Sequence, residues 1–170
     1  LFVSSFGDFR GGGQRSLHVL LKKIDRTRYI PFIVCLTDGD FVRELRHEGY
    51  LTFVISLPSF RTWRWHRIIA AAKKIKGIIN MVNPDIVHTE SSRSIVYLKW
   101  ALLRDHRPVI WHVRVSDPEP WWYEYFLFHM VRKVIVISGA VKKRFERFRG
   151  NETKVSVIYN AVDVIGDDVV

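Results

Sequence analysis

Short apolar runs rich in β-branched residues alternate along the chain with longer stretches of helical periodicity. Most of the short runs lack polar alternation, which is typical of strands that are covered on both faces of a sheet. The predicted strands are Leu1–Ser5, Ile30–Leu36, Leu51–Ser56, Asp85–His88, Val109–Val115, Val134–Ser138 and Val155–Tyr159. The predicted helices are Gln14–Arg26, Asp40–Glu48, Trp65–Val82, Ser92–Arg104, Glu119–Val131 and Ser138–Arg149. This order predicts one doubly wound α/β domain, with a parallel sheet of about seven strands and helices on both faces.

The first loop after a predicted strand contains three consecutive glycines, Gly11, Gly12 and Gly13, and leads directly into a helix. In a doubly wound sheet, ligands bind outside the carboxyl ends of the strands, so this loop is a candidate ligand site. Glycines let the backbone approach a ligand closely, and the amides of a helix N-terminus bind phosphate. The spacing is neither that of a dinucleotide-binding fingerprint nor that of a P-loop. A flexible turn without a ligand is the alternative.

Polar residues also end the fourth and fifth predicted strands. Glu90 and Ser91 are able to bind the hydroxyls of a sugar-like acceptor. The alternative is that Ser91 or Ser92 caps the next helix and Glu90 is solvated. His112 and Arg114 stand two residues apart on a strand and therefore point to one face. There the arginine can hold a phosphate and the histidine can hydrogen-bond a sugar; the alternative is a core histidine beside a salt-bridged arginine.

Composition narrows the class of protein. The 170 residues are 48% hydrophobic, which fits one folded domain, and no apolar run is long enough to span a bilayer. The single cysteine, Cys35, excludes a disulfide framework, and it indicates a reducing compartment and a buried strand position. The net charge of +10 predicts an anionic partner: nucleic acid, a membrane surface or a phosphorylated substrate. The chain starts without methionine and ends in what resembles a connection, so we expect a fragment of a longer protein.

The segment from Gly49 to Pro84 contains no Asp or Glu. Its helical periodicity places an apolar stripe toward the core. The basic and tryptophan side chains then fall on the outer face and the preceding loop, an arrangement typical of helices that bind anionic lipid surfaces. A solvated basic face is the alternative. The predicted stripe is Ile68, Ala72, Ile75, Ile79 and Val82, and the predicted membrane-surface residues are Arg61, Trp63, Arg64, Trp65, Arg67, Lys73, Lys74 and Lys76.

The stretch Pro120–Phe126 is densely aromatic. Aromatic side chains at this density either pack a core or form a surface for an apolar partner. The sequence leaves both interpretations open.

Taken in order, these motifs resemble the N-terminal domain of family-4-type retaining glycosyltransferases of the GT-B fold, in which two Rossmann-like domains face each other across a cleft. The resemblance covers nearly the whole chain. It assigns residues 1–163 to the acceptor-side, Rossmann-like domain and residues 164–170 to the start of an interdomain linker or the end of the fragment. The donor-binding C-terminal domain is then absent. The matching segments are Gly11–Gly13, Pro84–Glu90, Trp111-His112, Val134–Ser138 and Lys154–Asp163.

The resemblance implies retaining transfer of a hexose from a nucleotide-sugar, without an obligatory metal or cofactor, through electrostatic action on the diphosphate leaving group. It implies that Gly11–Gly13 lie near the donor diphosphate and that His112 is the catalytic contact to the reacting sugar. Glu90 and Ser91 then bind the acceptor. Arg114 stands where a small hydroxyl residue is commoner, which favours a charged acceptor. Ala161 replaces the glycine that is usual in the family's interdomain turn.

The family holds its nucleotide-sugar mainly through the second domain, so the fragment alone is expected to bind donor poorly and to be nearly inactive. The expected acceptor is a lipid-linked or polysaccharide intermediate of cell-envelope or polysaccharide biosynthesis. This places the protein in the cytoplasm, peripheral at the inner membrane face. A basic nucleic-acid- or anion-binding module without catalysis is the alternative, but no nucleic-acid motif accompanies the charge and no such partner is expected. An oxidoreductase domain is disfavoured, because the chain lacks the glycine fingerprint of dinucleotide-binding domains. A degenerate transferase domain that is kept for assembly remains a further alternative.

Overall fold

The computed structural model describes residues 1–60, 64–114 and 118–160. The strands are β1 (Phe2–Ser4), β2 (Ile33–Cys35), β3 (Thr52–Val54), β4 (Val87–Thr89), β5 (Val109–Val113), β6 (Lys133–Val136) and β7 (Val155–Val157). The helices are α1 (Gly12–Lys23), α2 (Asp40–His47), α3 (Trp65–Val82), α4 (Ser92–Ala101), α5 (Trp121–Met130), α6 (Gly139–Lys143) and α7 (Asn151–Lys154).

The strands form one sheet in the order β3-β2-β1-β4-β5-β6-β7, and every neighbouring pair is parallel. β1 pairs with β2 on one side and with β4 on the other, so the strand order reverses between β1 and β4. The predicted doubly wound parallel sheet is therefore confirmed. Its reversal point lies where the loops after β1 and β4 begin side by side, which is where such sheets bind ligands.

Two hydrophobic clusters cover the two faces of the sheet. The larger cluster packs α3, α4 and α5 against alternate residues such as Val3, Val87 and Trp111. The smaller cluster packs α1 and α2 against β2, where Ile33 and Cys35 point. Cys35 is fully buried, as predicted, and its burial raises the pKa of the thiol to about 12. The thiol therefore behaves as a small hydrophobic side chain.

The predicted helix Ser138–Arg149 is wrong in length. Ser138 caps the helix by accepting a hydrogen bond from the Val141 amide at 3.2 Å, but α6 ends at Lys143. Beyond it, Phe145 and Phe148 are both buried three residues apart, and tight i to i+3 hydrogen bonds replace helical ones. The short helix α7, which the sequence did not predict, follows Gly150, whose φ of 81° is in the left-handed region.

The predicted stripe of α3 faces the core. Ile68, Ile75 and Ile79 are buried, and Ala72 and Val82 are half-buried. The predicted membrane-surface residues that the structure describes are all exposed: Arg64, Trp65, Arg67, Lys73, Lys74 and Lys76. Arg61 and Trp63 lie outside the described residues. Within the described part of the chain, no helix has both the length and the apolar content needed to cross a membrane.

Candidate functional site

Glu90 joins three elements at the point where the strand order reverses. It follows β4 directly, and its Oε1 accepts hydrogen bonds from Ser4 Oγ at 2.9 Å, from the Ser5 amide at 3.0 Å and from Gln14 Nε2 at 3.0 Å. Ser4 ends β1, and Gln14 is in the first turn of α1. One carboxylate oxygen therefore fixes the ends of β1, α1 and β4 relative to one another.

Arg114 follows β5 and completes this cluster. Its Nε lies 3.4 Å from Glu90 Oε2, and the exposed fractions of the two side chains are only 8% and 10%. Its Nη1 donates to Asn160 Oδ1 at 3.1 Å, and Ser16 Oγ donates to the same oxygen at 3.2 Å. Burial lowers the pKa of the Arg114 guanidinium, and the Glu90 carboxylate opposes that shift. We call Glu90, Arg114, Gln14 and Asn160 the switch-point cluster.

The glycine loop meets this cluster at one position. A Cβ on Gly13 would lie 3.1 Å from Glu90 Oε2 and 3.4 Å from Arg114 Cδ, so the cluster lies directly against the backbone. No atom outside the helix lies within 4 Å of the same position on Gly11 or Gly12. Gly11 is the N-cap of α1 and has no side chain to cap the first turn. The first amides of α1 are therefore available to an anionic group.

Two histidines lie side by side beneath the switch-point cluster. His112 of β5 and His88 of β4 stack with ring centroids 5.2 Å apart and an interplanar angle of 18°. Burial, with the positive charge of Arg114 nearby, lowers the pKa of His112 to about 3 and that of His88 to about 4. Among the described residues, neither ring nitrogen of His112 has a hydrogen-bond partner. Both rings are therefore neutral near pH 7.

The space next to these rings is small. Phe2, Leu17, both histidines and the Glu90–Arg114 pair line a cavity of about 10 Å³. That is close to the minimum room that a single water molecule needs. His112 consequently lies at the predicted end of the sheet, but it is covered in this structure. His88 was not among the predicted site residues; the strand order places it on β4, next to His112 on β5.

A much larger groove lies beside the cluster, above the carboxyl ends of β1 to β4. It has a volume of about 890 Å³. We call it the switch-point groove. One wall is formed by Ser5, Phe6, Leu36, Thr37, Ser56 and Leu57, and the other by Ser91, Ser92, Arg93, Glu119, Pro120, Trp122 and Tyr123.

The residues predicted to bind the acceptor are divided between these two spaces. Ser91 lines the switch-point groove, whereas Glu90 and Arg114 line the small cavity. Ser91 Oγ accepts a hydrogen bond from the Ser94 amide at 3.3 Å, so the capping alternative describes its side chain in this structure. Its role in acceptor binding stays a prediction. Arg93 and Trp122 were not predicted, although both stand at helix beginnings beside predicted loops.

The rim of the groove is formed by two interlocked loops. The Gly7 amide donates to Thr37 Oγ1 at 2.8 Å, and the Gly7 carbonyl accepts from the Val42 amide at 3.0 Å. A side chain on Gly7 would overlap the Thr37 carbonyl, and one on Gly39 would overlap the Gly7 carbonyl. The loops after β1 and β2 therefore touch through bare backbone.

Comparison with known proteins gives a family and a set of related structures. A family model described as Glycosyltransferase Family 4 matches residues 10–165. HepE of Anabaena, solved with UDP and glucose, superposes with a TM-score of 0.72 at 17% identity; the match covers 95% of this chain and 44% of that one. The lipopolysaccharide outer core galactosyltransferase WaaB gives 0.72 at 16% identity, covering 95% and 45%.

A glycosyltransferase of Rickettsia africae also matches, with a TM-score of 0.71 at 24% identity, and the match covers 95% of this chain and 43% of that one. These identities establish a shared fold. The chain spans less than half the length of each of these three structures. No curated protein sequence matches the chain significantly.

Proposed function

The chain belongs to glycosyltransferase family 4, and from this premise we propose that it is the acceptor-binding half of a retaining glycosyltransferase. The reaction would move a hexose from a nucleotide-sugar to a lipid-linked or polysaccharide acceptor at a membrane surface. One observation carries the proposal. Gly13, Glu90 and Arg114 meet where the strand order reverses, next to a groove of about 890 Å³. This is the position at which open α/β sheets bind their ligands.

The glycine loop is proposed to bind the diphosphate of the donor. The uncapped N-terminus of α1 offers backbone amides, and the helix dipole favours negative charge at that end. Behind Gly13, the charge of Arg114 is paired with that of the Glu90 carboxylate. A nucleotide-sugar donor is also supported by the structural relative HepE, which was solved with UDP and glucose. Because this chain covers less than half of that relative, most of the donor contacts would come from a second domain.

His112 is proposed as the catalytic contact to the reacting sugar. Its depressed pKa keeps the ring neutral, so one ring nitrogen can donate a hydrogen bond to a hydroxyl while the other accepts one. The amides at the N-terminus of α1 would stabilise the leaving diphosphate. The cavity next to His112 holds at most about one water, so a sugar reaches the ring only when the surrounding strand ends open.

The switch-point groove is proposed to bind the acceptor. Its volume is ample for a mono- or disaccharide, and Trp122 and Tyr123 on its wall offer aromatic faces on which a sugar ring can stack. The exposed Arg93, whose Nη1 donates to the Leu57 carbonyl at 3.3 Å, places a positive charge on the same wall. An acceptor with a phosphate group would pair with that charge.

The test is a transfer assay on the longer protein that contains this chain. Radiolabelled UDP-glucose is incubated with a membrane lipid extract, and label in the organic phase identifies a lipid-linked acceptor. The anomeric configuration of the product, read by proton NMR, must be that of the donor. His112→Ala should abolish transfer, whereas the control His47→Ala, at an exposed position on α2, should not.

Inversion of the anomeric centre would overturn the retaining assignment. Absence of transfer from UDP-, GDP- and ADP-sugars to lipid and polysaccharide acceptors alike would overturn the transferase assignment. Binding of DNA or RNA with a steep salt dependence would instead support the basic binding module.

A further inference from the structure

Helix α5 presents aromatic side chains to solvent and buries a charged one. Trp121, Trp122, Tyr125 and Phe126 are 62%, 61%, 48% and 49% exposed, and their spacing places them along one side of the helix. We call these four residues the α5 aromatic face. Helices on the surface of a folded domain normally turn polar residues outward. An exposed apolar patch of this kind marks an interaction site.

The opposite side of α5 fixes this orientation. Glu124 is fully buried and pairs with Arg144 and, at 3.4 Å, with Arg147. Leu127 and Phe128 are buried on the same side. Rolling the helix to hide its aromatic residues would expose Leu127 and Phe128 and separate a buried carboxylate from its partners, which is strongly unfavourable. The packing of this domain therefore fixes the orientation of α5.

Positive charge predominates around the α5 aromatic face, where Glu119 is the acidic residue that lines the same groove as Arg93. Tyr125 packs on Phe148 with ring centroids 5.5 Å apart, so the exposed Arg147 and Arg149 lie on that flank. Arg93 lies on the other flank, where it lines the same groove as Trp122. From 121 to 149 the chain has seven Lys and Arg against two Glu, one of them the buried Glu124. A second copy of this chain would bring like charges together, whereas an anionic bilayer would neutralise them.

We propose that the α5 aromatic face inserts into the headgroup region of an anionic bilayer. Tryptophan and tyrosine are the residues that favour this region, because the ring is apolar and its polar atom remains hydrated. Flanking arginines hold the acidic lipid headgroups. The inference rests on the proposed function and adds the element that enters the lipid. Trp122 belongs both to this face and to the switch-point groove, so the groove opens where a lipid-linked acceptor would emerge.

α3 and α5 have different parts in this arrangement. α4 contacts both helices and therefore lies between them. The outer side of α3 carries Arg67, Lys73, Lys74 and Lys76, together with the exposed apolar side chains of Trp65, Ile69 and Met81. α3 would attract the membrane electrostatically, and α5 would anchor in it.

The test is co-sedimentation of the longer protein that contains this chain with phosphatidylcholine vesicles, with and without phosphatidylglycerol. We expect binding to the phosphatidylglycerol vesicles. The double variant Trp121→Ser, Phe126→Ser should lower the partition coefficient roughly tenfold or more, because two large apolar side chains no longer insert. The matched control Tyr29→Ser, Ile30→Ser removes two side chains that are 52% and 77% exposed elsewhere, and it should bind as the parent does. Circular dichroism of each variant checks that it is folded.

The failures are distinguishable. If the α5 variant binds as the parent does while Lys73→Glu, Lys74→Glu abolishes binding, the inference is overturned and the membrane role of the proposed function stands. If the parent binds neither kind of vesicle, both are overturned. If the parent is a dimer in sedimentation velocity and the α5 variant a monomer, the face is an interface between copies, and the inference is wrong.

Discussion

The stacked histidines predict that the chain loses stability as the pH falls below neutrality. Burial lowers the pKa of His112 to about 3 and that of His88 to about 4, with the charge of Arg114 contributing to both shifts. In the unfolded chain, both imidazoles have pKa values of about 6.5. Below that pH the unfolded state binds protons that the folded state does not bind, so the free energy of unfolding decreases as the pH falls. The free energy of unfolding stops decreasing when the pH reaches the pKa values that the two histidines have in the folded state.

The size of the effect follows from the shifts. Within this window each histidine changes the free energy of unfolding by about 1.4 kcal/mol per pH unit. Between about pH 7 and about pH 5, one histidine therefore accounts for about 2 kcal/mol and the pair for about 4 kcal/mol. Since domains of this size unfold at a cost of about 5–15 kcal/mol, the pair would remove a large fraction of the stability.

Urea denaturation followed by circular dichroism across this pH range tests the reasoning. Carboxylates titrate alike in the parent and the variants. The difference in the loss of stability between parent and variant therefore reports the histidine alone. His112→Gln should reduce the loss of stability between the two pH values by about 2 kcal/mol. His47→Gln, at an exposed site, should leave the loss unchanged. If His112→Gln and the parent lose the same amount, His112 is not a buried neutral imidazole and its assigned chemistry is wrong.

Three further predictions concern stability. Gly13→Ala should lower the free energy of unfolding by about 1–2 kcal/mol, because its methyl group would crowd the Glu90 carboxylate. Gly12→Ala should raise the free energy of unfolding by up to about 1 kcal/mol, and urea denaturation compares the two variants. Glu90→Gln should cost about 1–3 kcal/mol, because the amide nitrogen and oxygen cannot together replace a carboxylate that faces donors at both oxygens. Glu124→Gln should cost about 3–5 kcal/mol and lower Tm by several degrees, while Glu146→Gln, at an exposed site, should cost under about 0.5 kcal/mol.

The fold could be predicted from the sequence because each strand is a short apolar run and each helix has a clear period. General rules for crossover connections leave only a handful of possible strand orders once those elements are located, and the structure supplies the order itself. The segment 138–149 shows where this fails. Its helical pattern continues past Lys143, but packing of Phe145 and Phe148 into the core favours tight turns. Local periodicity does not encode that competition.

The candidate site was predicted as a set of loop positions, and the structure adds their contacts. Adjacent strand ends bring Glu90 and Arg114 together, as expected for parallel strands. Gly13 contacts this pair, whereas Gly11 and Gly12 face open space. This difference depends on the helix starting at Gly12. Likewise, the Pro120–Phe126 stretch was ambiguous between core and surface because its buried side is set by Glu124 pairing with arginines about 20 residues away.

The interlocked loops at the rim of the switch-point groove restrict how this protein can change during evolution. Because Gly7 and Gly39 meet backbone to backbone, no single substitution at either position is compatible with the present loops. An adaptive change there would require both loops to be replaced together, by insertion or recombination. Substitutions that adapt the groove to a different acceptor should therefore spare these two glycines and accumulate at residues that line the groove, such as Arg93, Pro120 and Trp122. The backbone contact between the two loops would be inherited intact while the lining residues diverge with the substrate.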